Sequence, residues 1–215
     1  MSVTKIVAVN LRHDFSIHLA AAVLVALLTP VVFGISALDA RVAAQPLEVL
    51  LPFIGMLLFT PVFLPEQDVA IRDVVRAKKT DYFFVCFLRV LCSAAAVMLI
   101  TAFFVLAMKH RESAVTVSHF VGSCASSFFL GTIGLAVAGL SGSVSAGYMA
   151  AVVYYVANIG LKDDLGVCYL FSMYAGKPFS TKYWLLLLSA LCLAVLFPVL
   201  RRKEEGYRVK FLSVG

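Results

Sequence analysis

This sequence predicts an all-α integral membrane protein with six transmembrane helices, on the strength of three observations. The chain is 62% hydrophobic and only 14% charged, with a mean hydropathy of +0.97. A soluble domain is about 45–50% apolar and about 25% charged. The apolar residues fall into six runs near the ~20 residues that a helix needs to cross a bilayer. Between the second and third runs lies a polar stretch, 65–80, which starts acidic and ends basic.

The elements follow in order, within a single transmembrane domain, 1–215. Residues 1–15 mix Lys5, Arg12, His13 and Asp14 with Val3, Ile6, Val7, Val9 and Leu11. They read as an interfacial segment, with a frayed terminus as the alternative. The apolar run that follows exceeds the about 7–15 residues of a signal-peptide core and has no small-residue cleavage site. Span one is 17–38, with Thr29-Pro30 inside it. Span two is 49–64, with Pro52 and Pro61; it is short, so it either extends into its flanks or kinks. Span three is 83–108, span four 120–140, and span five 144–161 after a Ser141-Gly142-Ser143 turn. A loop, 162–182, leads to span six, 183–200, and a basic tail, 201–215. No internal repeat or low-complexity linker interrupts this plan.

Stretch 65–80 reads as a short amphipathic helix. Pro65 suits a first helical turn, where its missing N–H has no partner to lose. Glu66 and Asp68 then complement the positive end of the helix dipole, and Arg76, Lys78 and Lys79 the negative end. Asp68 and Arg72 form an i,i+4 pair with the acid first. Ile71, Val74 and Val75 share one face, while Arg72, Asp73, Arg76 and Lys79 lie mostly on the other. A solvated topogenic loop is the plain alternative; a handle gripped by another protein is the sharper one.

Basic residues set the orientation. With both termini inside, the inner segments carry Lys5, Arg12, Arg72, Arg76, Lys78, Lys79, Arg201, Arg202, Lys203, Arg208 and Lys210. The outer loops then carry only Arg41, Lys109, Arg111, Lys162, Lys177 and Lys182. This bias places both termini, and stretch 65–80, in the cytoplasm of a cell-membrane protein.

The chemistry is sparse. All twelve acidic residues lie outside the six apolar runs, whereas ion-coupled pumps usually carry protons on intramembrane carboxylates or histidines. Arg89 is the one strong charge within a span. It is near the inner end, so snorkelling to the headgroups is favoured over a role in a pathway or at the inner interface. The apolar spans suit a hydrophobic or amphipathic cargo. Gly139-Leu140-Ser141-Gly142 matches the motif of rhomboid intramembrane proteases, but His13, His18, His110 and His119 all precede Ser141, so no later base activates it. Cys86, Cys92, Cys124, Cys168 and Cys192 have no metal or disulfide spacing. No P-loop occurs, and no basic patch interleaved with aromatics suggests nucleic acid. Small-residue pairs Ala22/Ala26, Gly134/Ala138 and Gly147/Ala151 allow close helix packing, within the bundle by default or between subunits.

The layout resembles the membrane subunits of ABC-2-type ABC transporters. The matching residues are 65–79, followed by Thr80-Asp81 and the early basic Arg89 of span three, with 3–15 as the interfacial segment and 162–182 as the outer loop. Thr80 and Asp81 stand where many members carry a proline. The resemblance implies that 65–80 is a cytoplasmic coupling helix, on which separate ATPase subunits dock through Glu66, Asp68, Ile71, Arg72, Val74, Val75, Arg76 and Lys79. It also implies a second permease copy or a related permease, membrane lipid around the spans, no enzyme activity or cofactor on this chain, and ATP and magnesium on the partner. The expected function is therefore the permease of an ATP-driven exporter. The alternatives are a non-transporting membrane scaffold or immunity protein and, further off, an intramembrane protease.

Overall fold

The computed structural model describes residues 15–67 and 82–212. Six helical segments are long and apolar enough to cross a membrane, and no strand occurs among the described residues. The protein thus has the all-α, six-span fold expected. Helix α1 is Phe15–Phe33. Helices α2 (Ala40–Val49) and α3 (Pro52–Phe59) and a 3-10 helix, Thr60–Gln67, follow one another and make the second span. Helix α4 is Tyr82–His110, α5 Val117–Ser141 and α6 Val144–Leu161. A second 3-10 helix, Lys162–Cys168, and a looped stretch lead to α7, Ser180–Leu212. The bundle has two ends. Residues 34–39, 111–116 and 162–179 gather at the loop end; the 141–143 turn and the last part of α7 mark the tail end.

Three boundaries depart from the sequence reading. The first span ends at Phe33 and not at 38, because Gly34 takes a left-handed φ of 68°. The second span starts at Ala40 and not at 49. Arg41, Gln45 and Glu48 make its first turns look like a loop, yet Ala43, Ala44, Leu47 and Glu48 are all buried. Residues 201–212 continue α7 without a break and do not form a separate tail. The α5–α6 turn is as tight as expected. Gly142 takes a left-handed φ of 73° and its N–H bonds Ala138 O, while the Ser143 side chain accepts from Ala146 N to start α6.

The second span and α5 form the axis. Their apolar windows are 72% and 61% buried, against 11% for α1, 28% for α4, 28% for α6 and 22% for α7. The outer helices present Leu27 and Val31, Leu99 and Phe103, Val153 and Val156, and Leu187 and Val195 to the surroundings. In water such continuous apolar faces invite aggregation; a bilayer solvates them.

Glycines let neighbouring helices touch α5 backbone to backbone. A Cβ on Gly55 would lie 1.9 Å from Ser127 O, and one on Gly147 would lie 2.4 Å from Gly134 O. Ala22, Gly134, Ala138, Gly147 and Ala151 are all buried inside the single chain. The small-residue pairs therefore serve packing within the bundle, as small residues do between membrane helices, and they carry no argument for a second copy.

Candidate functional site

Prolines define the second span. An α-helix joins each N–H to the carbonyl four residues back, and a proline has no N–H to give. Pro52 follows a break at Leu50 and Leu51. There Leu51 N reaches back to Pro46 O, and Phe53 N turns to Leu50 O. These shifts free the carbonyls of Leu47 and Val49. Neighbouring hydroxyls take them: Ser123 Oγ donates to Leu47 O at 2.9 Å and Tyr155 OH to Val49 O at 2.7 Å. Ser127 Oγ donates to Leu51 O at 3.2 Å.

The same logic holds at the tail end. In a 3-10 ladder the carbonyl of Leu58 needs the N–H of residue 61, and that of Val62 needs the N–H of residue 65. Both positions are proline. Ser93 Oγ donates to Leu58 O at 2.7 Å, and Arg89 Nη1 to Val62 O at 3.0 Å. Helix α4 thus supplies, from successive turns, the donors that the two prolines withhold. A non-helical membrane segment is tolerated only when its polar groups are met in this way. Arg89 is not simply a snorkelling residue: its guanidinium is tied to the second span.

At the loop end the bundle holds an ion pair. Lys182, in the first turn of α7, meets Glu48 near the end of α2; Nζ and Oε1 are 2.5 Å apart, and both side chains are 0% exposed. The surroundings complete both groups. Glu48 Oε1 accepts from Met173 N at 3.0 Å and Oε2 from Tyr174 N at 2.8 Å. Lys182 Nζ donates to Ser126 Oγ at 2.7 Å and to Leu170 O. An ammonium has three donors, and all three are used. Glu48 thus lies within the second span, which corrects the expectation that every acidic residue lies outside the spans. Lys182, placed in the outer loop by its sequence neighbours, lies within the sixth.

The partners of this pair show that 162–182 is not an open loop. Tyr169, Leu170 and Phe171 are buried against α5 and α6, and Ser172 is buried as well. Asn158 Oδ1 accepts from Leu170 N at 2.8 Å, and Tyr154 OH donates to Cys168 O. Arg41 Nε donates to Tyr174 O at 3.0 Å.

Of the residues expected to dock a partner, Glu66 lies in the 3-10 helix. That helix is already under way at Thr60, so Pro65 stands inside it and does not open a new one. Asp68, Ile71, Arg72, Val74, Val75, Arg76 and Lys79 lie outside the described residues. Ser141 sits at an exposed turn with its Oγ donating to Val137 O at 2.6 Å. His119 is at the opposite end, 2.7 Å from Ala40 O, so it offers Ser141 no base. No group of three or more His, Cys, Asp or Glu gathers among the described residues.

Glu48 and Lys182 are the polar residues that sequence reasoning missed. One signal was present. Ala44, Leu47 and Leu51 surround Glu48 at helical spacing, so the apolar face runs on through it. No protein-family description, characterised protein or solved structure matches the chain.

Proposed function

We propose that this chain is the permease subunit of an ATP-driven exporter of the ABC-2 type, lying in the cell membrane with both termini cytoplasmic. Separate ATPase subunits drive it, and a second copy or a related permease completes the pathway for a hydrophobic or amphipathic cargo. One observation carries the reading. The helices that flank stretch 68–81 are bound to each other just beyond it, by Arg89 to Val62 and Ser93 to Leu58. A force on that stretch acts on two spans joined as one. Glu48 is a poor proton carrier for an ion-coupled alternative, because both its oxygens are bonded and it is sealed from solvent.

The test is on the stretch itself. Burying one aliphatic side chain at a contact contributes about 1.5–3 kcal/mol, and each 1.4 kcal/mol is about tenfold in affinity. Val74→Asp with Val75→Asp should insert normally, weaken capture of the ATPase subunit from mild detergent by at least about tenfold, and abolish export. Arg72→Glu should have a weaker effect, since exposed ion pairs contribute little. Full ATPase binding and export by the double variant would reduce 65–80 to a topogenic loop. Purified protein that never brings an ATPase subunit would leave the scaffold reading standing.

A further inference from the structure

We propose that residues 167–175 form a hinged strap across the loop end of the bundle, and that the Glu48–Lys182 ion pair is the latch that holds it down. This goes beyond the transport reading and stands without it.

The hinges are two glycines. Gly166 has φ 52° and Gly176 φ 74°, a region that side-chain-bearing residues rarely enter. Space does not demand glycine at either place. A Cβ at Gly166 would meet nothing within 4 Å, and the nearest atoms to one at Gly176 would be those of the Arg41 side chain, at 3.6 Å, an ordinary van der Waals distance. The backbone bend is what requires them. Gly166 breaks the regular geometry of the 3-10 helix that contains it.

Between the hinges, the strap is tied to other elements. Cys168 O and Leu170 N bond to α6 through Tyr154 and Asn158. The ion pair is the hub of the remaining inner ties. Glu48 takes the N–H groups of Met173 and Tyr174, and Lys182 gives a proton to Leu170 O. Ser126, itself bonded to Lys182, donates to the same carbonyl at 3.2 Å. Three elements that are distant in sequence (α2, α5 and α7) thus converge on one short piece of chain.

A buried ion pair is a poor way to add stability, because apolar residues of similar volume often do as well or better. What it supplies is all-or-none geometry: with either charge moved, the other is left unpaired in an apolar site. That is the behaviour of a latch. Lifting the strap uncovers Leu170 and Phe171 and opens the loop end between α2, α5, α6 and α7. On the transport reading, this is where cargo leaves.

Ser172 provides the probe. It is fully buried, its hydroxyl has no hydrogen-bond partner, and it lies within the strap. Ser172→Cys is near-isosteric. In full-length protein carrying Ser in place of Cys86, Cys92, Cys124, Cys168 and Cys192, reconstituted in lipid vesicles, its reaction with a charged maleimide reports opening. Glu48→Gln and Lys182→Met should each speed labelling by at least about tenfold, the change that 1.4 kcal/mol of lost latch energy produces. Labelling that neither variant accelerates would overturn the proposal. Hydrogen exchange on the unaltered protein gives a mutation-free reading of the same motion. The amides of Leu170, Met173 and Tyr174 should exchange together and at least about tenfold faster than those of α5. If they are as protected as α5, the strap does not lift and the proposal fails.

Discussion

Gly55→Ala, the smallest change available at that position, should remove most of the folded protein. The new Cβ would stand 1.9 Å from Ser127 O, 2.5 Å from Ser127 C and 2.9 Å from Ser127 Cα. All three are backbone atoms of α5, so no rotamer change relieves the contact. The second span and α5 must move apart, and along this seam their backbones already touch. Gly131 meets the same seam from the other side, with its would-be Cβ 2.7 Å from Gly55 O. Overpacking a core costs about 1–3 kcal/mol and occasionally more. A backbone separation belongs at the top of that range or above it, so a loss of more than about 3 kcal/mol is expected. Gly160→Ala is the control. It lies on α6, with nothing within 4 Å of the new atom, and should be neutral or gain up to about 1 kcal/mol from helix propensity. Thermal unfolding in mild detergent, read beside membrane insertion, separates the two. Equal unfolding temperatures would mean that the axial helices are not packed as described.

Lys182→Met should be the second most damaging single change. It leaves the Glu48 carboxylate buried with two backbone N–H groups and no counter-charge. Removing one partner of a buried pair costs about 3–5 kcal/mol. Adding Glu48→Gln should restore part of the loss, because the double variant buries no net charge. It cannot restore all of it. The carboxylate accepts from Met173 N on one oxygen and from Tyr174 N on the other, whereas a glutamine amide accepts only through its oxygen and its NH2 only donates. One strap N–H then goes unmet, at about 1–3 kcal/mol. The expected order of stability is therefore wild type, double variant, Lys182→Met. A double variant no better than the single one would show that Glu48 and Lys182 are not energetically coupled.

Much of this architecture was legible because a membrane span has an unambiguous signature. Spans three, four and five are apolar runs bounded by polar residues or a Ser-Gly-Ser turn, and their helices end within a few residues of the expected places. The second span was only half legible. Its first half is polar enough to pass for a loop, and its ion-pair partner lies 134 positions later in the chain. No local pattern links Glu48 to Lys182; only the folded bundle does. Pro52 and Pro61 announced a break but not how it is healed, because the healing hydroxyls of Ser93, Ser123, Ser127 and Tyr155 belong to other helices. Arg89 could be seen as an anomaly within a span, yet its target is a backbone carbonyl, and carbonyls have no signature in a sequence. The docking role proposed for 68–79 rests on the sequence pattern and on the resemblance in layout.

The side-chain-to-carbonyl pairing along the second span has a mechanical consequence. Leu47 and Leu51 are four residues apart, as are Ser123 and Ser127 that serve them; Leu58 and Val62 are four apart, as are Ser93 and Arg89. The three helices are keyed together like splined shafts. A slide of a fraction of a turn takes each donor off its carbonyl, and a full turn, about 5.4 Å, is needed to bring a donor opposite the next carbonyl on the same face. Small gliding motions among the second span, α4 and α5 therefore break these hydrogen bonds, at a modest cost each. The second span, α4 and α5 are thus coupled against sliding, and Tyr155 OH on Val49 O brings α6 into the same set.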